Sequence, residues 1–163
     1  MIRVDQAGEY GAVRIYAGQL AVMGSRHAHS GEIRHMADQE RVHLDTFNRM
    51  MTERGVRPTL LQPFWHVAGF ALGAATALIG PKAAMACTAA VEEVIEQHYA
   101  DQLDRLGDDD AELADTIRQF REEEIEHKDA AIAHGAEQAP AYPLLSAAIK
   151  TGCRLAIRLA ERL

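Results

Sequence analysis

The stretch Asp38-Gln39-Glu40-Arg41-Val42-His43 decides how this chain folds, because the second half repeats its core as Glu123-Glu124-Ile125-Glu126-His127. Each contains Glu-x-x-His, and on an α-helix residues three apart share a face. A second spacing lies upstream of each. Glu9 is followed seven residues later by Tyr16, and Glu92 seven residues later by Tyr99. Seven residues is about two helical turns, so each Glu and Tyr also share a face. From Tyr16 to Glu40 is 24 residues, and from Tyr99 to Glu124 is 25. The chain therefore reads as two copies of one helix pair, spanning about 4–55 and 81–135.

Working outward, 163 residues suit one domain, 1–163, with a real core. Few aromatics, abundant alanine and no run of alternating β-branched residues predict an all-α chain. A net charge of −7 argues against a nucleic-acid partner. Cys87 and Cys153 lie far apart with no Cys-x-x-Cys, so neither a disulfide framework nor a sulfur-ligated metal is expected. Arg3 and Asp5 arrive before any apolar run, so no signal peptide is read and a reducing compartment is the default.

The first helix is predicted from about Val4 to Met23, with Glu9 on an apolar face beside Ala12, Tyr16 and Leu20. Ser30 is expected to cap a second helix, which runs to about Arg54. On it Glu40 and His43 share a face with Ile33, Met36, Phe47 and Met50. Phe64 to Ile79, within a crossover element at 64–80, carries no charge beyond His66. It is too short for a comfortable span. It reads as a buried crossover helix or as an interfacial element, with Gly69, Gly73 and Ala77 spaced for a close helix contact. The third bundle helix runs from Pro81 to Leu106 with Glu92 inward and Glu93 outward. Asp108 to Asp110 offer a cap for a fourth, ending at His134 with Gly135 beyond. Glu122, Glu123 and Glu126 read as a solvated acidic flank. A last amphipathic helix (within 143–163) is predicted over Leu144 to Leu163. Lys150, Arg154, Arg158 and Arg162 form a basic stripe on it, and Leu145, Ile149, Leu155, Ala156, Leu159 and Leu163 an apolar side. Such a helix suits an anionic membrane surface, or simply docks on the bundle.

Four inward carboxylates have no matching inward Lys or Arg, and burying each uncompensated costs several kcal/mol. Two divalent cations would balance them and hold both histidines as neutral ligands. A Glu from each of two helices plus Glu-x-x-His from each of the other two is the ligand set of two-metal carboxylate bundles. The candidate ligands are thus Glu9, Glu40, His43, Glu92, Glu124 and His127. Oxygen and nitrogen donors without thiolate suit iron or manganese.

Stretches beyond these ligands carry a resemblance. They are Arg3 to Gly11 (RVDQAGEYG), Gly69 to Gly73 (GFALG), Ala84 to Thr88 (AMACT), Val91 to Glu93, His98-Tyr99, Gly152 to Arg154 and Glu161 to Leu163. Through them the chain closely resembles the demethoxyubiquinone hydroxylase family, di-iron monooxygenases of ubiquinone biosynthesis. The resemblance implies a ferritin-like four-helix bundle with two irons. One would be held by Glu9, Glu40 and His43, the other by Glu92, Glu124 and His127, with Glu40 and Glu124 bridging and Tyr16 and Tyr99 just behind the ligands. It implies O2-dependent hydroxylation of a 2-polyprenyl-3-methyl-6-methoxy-1,4-benzoquinone or its quinol, with NADH-derived electrons. It also implies a homo-oligomer, a lipid-binding accessory protein, and a peripheral place on a membrane. That membrane would be the cytoplasmic face of a bacterial inner membrane or the matrix face of the mitochondrial one. The rivals are a di-iron quinol oxidase and a ferroxidase or iron-storage bundle. A rubrerythrin-like peroxidase would normally bring a Cys-x-x-Cys module, which this sequence lacks.

Overall fold

The computed structural model describes residues 1–107 and 109–163, and every regular element among them is helical. The helices are α1 (Ile2–Met23), α2 (Ser30–Glu53), α3 (Gln62–Ile79), α4 (Pro81–Leu106), α5 (Ala111–Ala133) and α6 (Tyr142–Ala160), with one 3-10 turn at Ala136–Gln138. α1, α2, α4 and α5 make the bundle: α1 packs on α2, and α4 on α5. α3 lies on α1 and α4, and α6 on α4 and α1. Each repeat thus brings a third helix, and the pair α1–α4 is covered on both sides.

Local chemistry sets the boundaries. Gly24, Gly55, Gly107 and Gly135 all adopt positive φ just past a helix end, where any side chain would be strained. Pro81 opens α4, where its missing N–H is no loss. Asp110 caps α5 by accepting from the Leu113 N–H, as the sequence predicts, while Asp108 lies outside the described residues. Ser30 does not cap α2. It lies inside that helix, and its hydroxyl reaches back 2.5 Å to the Gly24 carbonyl, closing the α1–α2 turn instead.

The predicted close contact of Gly69 and Gly73 is made with α1. A Cβ on Gly73 would run into the Ile15 carbonyl, and one on Gly18 into that of Phe70. The buried reading of α3 holds for that face alone: Phe64, Val67 and Leu78 on the outer face are exposed. No helix among the described residues is long and apolar enough to cross a membrane. α6 is rotated from the expected docking. Ile149, Cys153, Ala156 and Ala160 face the bundle, and Leu155, Leu159 and Leu163 are exposed. Lys150 leaves the basic stripe to bond Glu93 on α4 at 2.7 Å.

Candidate metal centre

α1 and α4 run antiparallel, and a set of polar rungs joins them through the middle of the core. Asp5 accepts from Gln102, Tyr99 donates to Glu9, Tyr16 donates to Glu92 at 2.6 Å, and Gln19 reaches the Ala84 carbonyl and Thr88 at 3.0 and 3.3 Å. The spacing along the two helices is the same: Asp5, Glu9, Tyr16, Gln19 and Thr88, Glu92, Tyr99, Gln102. All eight side chains are buried. Each tyrosine therefore bonds the glutamate of the other repeat. The sequence shows the same-face spacing within a helix but not this crossing. Gln19 and Gln102, three residues past each tyrosine, are functional positions the sequence reading missed. The signal was there, since the full repeat is Glu-x6-Tyr-x2-Gln. His98, on the same helix as Gln102, joins Asp5 and Gln102 at 3.3 and 2.7 Å.

α2 and α5 close the other side. All six candidate ligands converge in two overlapping groups, Glu9, Glu40, His43, Glu124 and Glu40, Glu92, Glu124, His127, with donor atoms within 4.8 Å in each. Glu40 and Glu124 belong to both. The histidines present Nδ1 to the carboxylates: His43 is 3.2 Å from Glu124 and 3.5 Å from Glu9, and His127 is 3.2 Å from Glu40 and 3.4 Å from Glu124.

Buried polar atoms are normally satisfied. Here one oxygen each of Glu9 and Glu92, both of Glu40, both of Glu124, and Nδ1 of both histidines have no hydrogen-bond partner. Ligands arranged for protons would not be left this way; ligands arranged for cations would. The cluster can hold metal.

Without metal, the electrostatics show the same demand for positive charge. Burial pushes the Glu40 and Glu92 carboxyls well above their usual range, and the neighbouring charge of Glu124 adds to this. Burial alone would pull the His43 imidazolium down, but the carboxylates of Glu124 and Glu9 outweigh it and raise His43 to about 11. Glu124 is the converse: burial raises it, yet His127 and His43 bring it down to about 2. Burial, then Glu92 and Glu9 respectively, hold the Tyr16 and Tyr99 phenols well above 10, so both stay hydrogen-bond donors.

Two further side chains touch the histidines, each from across the bundle. His43 Nε2 meets Glu123 Oε2 at 2.8 Å, and His127 Nε2 meets Gln39 Oε1 at 3.1 Å. Glu123 is thus not part of a solvated flank: the α2–α5 packing turns it onto the His43 ring. Glu96 bridges α4 to α5 through Arg121 at 2.7 Å.

On the opposite side of α1 and α4 lies a cavity of about 540 Å³. Gly8, Gly11 and Ile15 of α1, Val91 and Val94 of α4, Trp65 and Leu72 of α3, and Ile149 and Cys153 of α6 form its walls.

Fold and centre together define a class, the helical bundles with a buried carboxylate–histidine site for metal. The chain belongs to the family described as Ubiquinone biosynthesis protein COQ7, which matches residues 1–160. It is 64% identical to 3-demethoxyubiquinol 3-hydroxylase of Rhodospirillum rubrum over 99% of this chain and 76% of that protein. It is 54% identical to the NADPH-dependent 3-demethoxyubiquinone 3-hydroxylase, mitochondrial, of Homo sapiens over 100% of this chain and 76% of that protein. It is 47% identical to the 5-demethoxyubiquinone hydroxylase, mitochondrial, of Saccharomyces cerevisiae over 100% and 77%.

Proposed function

We propose that this chain is an iron-dependent monooxygenase that hydroxylates the ring of a demethoxy polyprenyl benzoquinone or its quinol in ubiquinone biosynthesis. The observation that carries the reading is the set of orphaned carboxylate and imidazole atoms in the core of a chain this close to named hydroxylases. Glu9, Glu40 and His43 would hold one iron and Glu92, Glu124 and His127 the other, with Glu40 and Glu124 common to both. Two divalent ions set +4 against four carboxylates, which removes the reason for Glu40 and Glu92 to keep protons. When bound, the iron pair supplies the activation of O2.

The protein's own residues do the rest. Tyr16 and Tyr99 hold Glu92 and Glu9 by one oxygen each and leave the other for the cation. Glu123 and Gln39 fix the orientation of the histidine rings. The packed core excludes water from the reacting atoms. The apolar cavity has the size and lining of a small-molecule site and would take the substrate's ring and the first part of its prenyl tail. Cys153 stands in its wall, and burial pushes that thiol up to about 11. It therefore stays protonated beside an electrophilic quinone.

A lipid substrate must be drawn from a bilayer. The outer faces of α3 and α6 flank the cavity with exposed Phe64, Val67, Leu78, Leu144, Leu155 and Leu159, and Arg154 and Arg158 stand exposed on α6 with Arg162 exposed just past its end. We read this as a peripheral membrane face, on the cytoplasmic side of a bacterial inner membrane or the matrix side of a mitochondrial one. A homo-oligomer and a lipid-binding accessory protein belong to the same proposal. The names of the mammalian relatives favour NADPH over NADH as the electron source.

The test is to incubate the iron-loaded chain with the demethoxy quinone, NADPH and 18O2 and to analyse the product by mass. One labelled ring oxygen supports the reading. Oxygen consumption with an unlabelled ring makes it a quinol oxidase, and iron oxidation without quinone turnover makes it a storage protein.

A further inference from the structure

The two halves of the metal centre match in every candidate ligand and differ in what stands behind the histidines. When Nδ1 of a neutral imidazole takes a metal, Nε2 must carry the proton and donate it. For His43 the acceptor is the carboxylate of Glu123, at 2.8 Å; for His127 it is the amide oxygen of Gln39, at 3.1 Å. These are equivalent positions of the internal repeat, each one residue before a shared glutamate, so the structural role is common and only the charge differs.

The difference is built, not incidental. Glu123 is held from its other oxygen by Gln119 at 3.0 Å, which fixes the carboxylate toward His43. Phe120 stacks on the His43 ring with centroids 3.9 Å apart, leaving the imidazole no freedom to turn away. Hydrogen bonds to an ionised acceptor are roughly twice as strong as neutral ones. A carboxylate behind a ligating histidine raises the basicity of the nitrogen that faces the metal. Glu123 also places one more negative charge beside the His43 position than Gln39 does beside the His127 position.

Resting on the reading of this cluster as a two-metal centre, we infer that Glu123 makes the two metal positions unequal, the His43 position binding a divalent cation more tightly than the His127 position. The chain would then load in order: the His43 position first, the His127 position second and more reversibly. Glu123 acts through His43 and is a positioning residue.

The experiment is a calorimetric titration of the metal-free full chain with Mn(II), whose oxygen and nitrogen preference matches the site. Wild type should bind two ions with separable affinities. Glu123→Gln should weaken the tighter step about ten-fold or more and narrow the gap. Gln39→Glu should narrow it from the other side, by strengthening the weaker step. The double variant should restore the gap. Both substitutions are near-isosteric, and neither side chain is fully buried, so thermal unfolding should barely move in any of the three variants. Two cations repel, so even equal positions load in two steps; but there Glu123→Gln would widen the gap or leave it alone. Either result overturns the inference, as does a Gln39→Glu that weakens binding. A wild-type chain that takes up no Mn(II) or Fe(II) would instead overturn the metal-centre reading itself.

Discussion

Glu9 and Gly8 are neighbours in the chain, yet one turns to the buried cluster and the other to the apolar cavity, the two sides of the α1–α4 pair. Toward α2 and α5, the glutamates and tyrosines of the pair bond one another across it, and the carboxylate oxygens left over join the buried cluster with Glu40, His43, Glu124 and His127. Toward α3 and α6 the same helices show Gly8, Gly11, Ile15, Val91 and Val94 around empty apolar space. One side concentrates buried carboxylates and two imidazoles that could hold cations. The other is an apolar hollow of about 540 Å³. A rotation of about 100° per residue is all that separates them, so one pair of helices can bring a hydrophobic molecule and a charged centre together without mixing their environments.

Glycines give the sharpest way to break that contrast. Gly18, Gly69 and Gly73 are required by the α1–α3 approach, whereas a Cβ on Gly8 or Gly11 would meet nothing within 4 Å. Glycine inside a helix costs about 0.5–1 kcal/mol relative to alanine, so at Gly8 and Gly11 the missing side chain stabilises nothing in the empty protein. Gly73→Val is expected to destabilise by roughly 3 kcal/mol or more, at the upper end for overpacking, because backbone meets backbone. Gly8→Leu should keep both the melting temperature and the metal count while lowering turnover of a long-tailed quinone. Paired melting curves, metal analysis and assays check this; a Gly8→Leu protein that turns over normally would mean the cavity is not where the ring or tail sits.

The next effect tests the polar side alone. Tyr99→Phe removes only the hydroxyl that anchors Glu9. It should leave two metals bound but lower hydroxylation about 10–100-fold, the usual cost of losing a partner to a ligand. Product yield per NADPH, measured beside metal content, separates this from simple loss of iron.

On the lipid side, Arg154→Gln with Arg158→Gln should weaken binding to anionic vesicles by roughly 1 kcal/mol per arginine near the surface. The effect should be greatest at low salt, with the metal count unchanged. Vesicle co-sedimentation that ignores both salt and the substitutions would remove α6 from the membrane face.

A last effect is one of pH in the metal-free chain, and its sign follows from the shifts. His43 is raised from 6.5 to about 11, so its stabilising contribution is complete below pH 6.5 and is lost as pH rises toward 11. Glu40 and Glu92 are raised too, so their cost also grows with pH above their usual range near 4.5. Glu124, lowered to about 2, contributes fully across this window and loses its contribution only on acidification. The metal-free chain should therefore melt lower with rising pH between 6.5 and 11, by a few degrees for each ~1 kcal/mol lost. The metal-loaded chain should show a flatter profile.

Much of this was legible in the sequence, for a physical reason: helical spacing is a local property. Glu40 with His43, and Glu124 with His127, could be placed on one face by counting. Glu92 could be chosen over Glu93 by the apolar company it keeps. What counting could not supply was contact across helices. Glu123 sits among acidic residues and looks solvated until α5 is laid against α2, and Lys150 looks like part of a stripe until Glu93 stands opposite. α6 misled for another reason. It is apolar on more than one side, so periodicity alone does not say whether Leu155 and Leu159 or Ile149 and Ala156 face the bundle.

The crosswise rungs between α1 and α4 have a mechanical consequence. The helices run antiparallel, so the rungs pair their residues in reverse order along the two axes and the set works as a vernier. Sliding either helix by a single turn would mismatch Asp5, Glu9, Tyr16 and Gln19 with all their partners at once. Shear along this pair is therefore closed off, and α3 is pinned to it by backbone contact at Gly18 and Gly73. α6 is different: among the described residues, its side-chain hydrogen bond to the bundle is the one from Lys150 to Glu93. A door for a long, greasy molecule hangs most easily on that hinge.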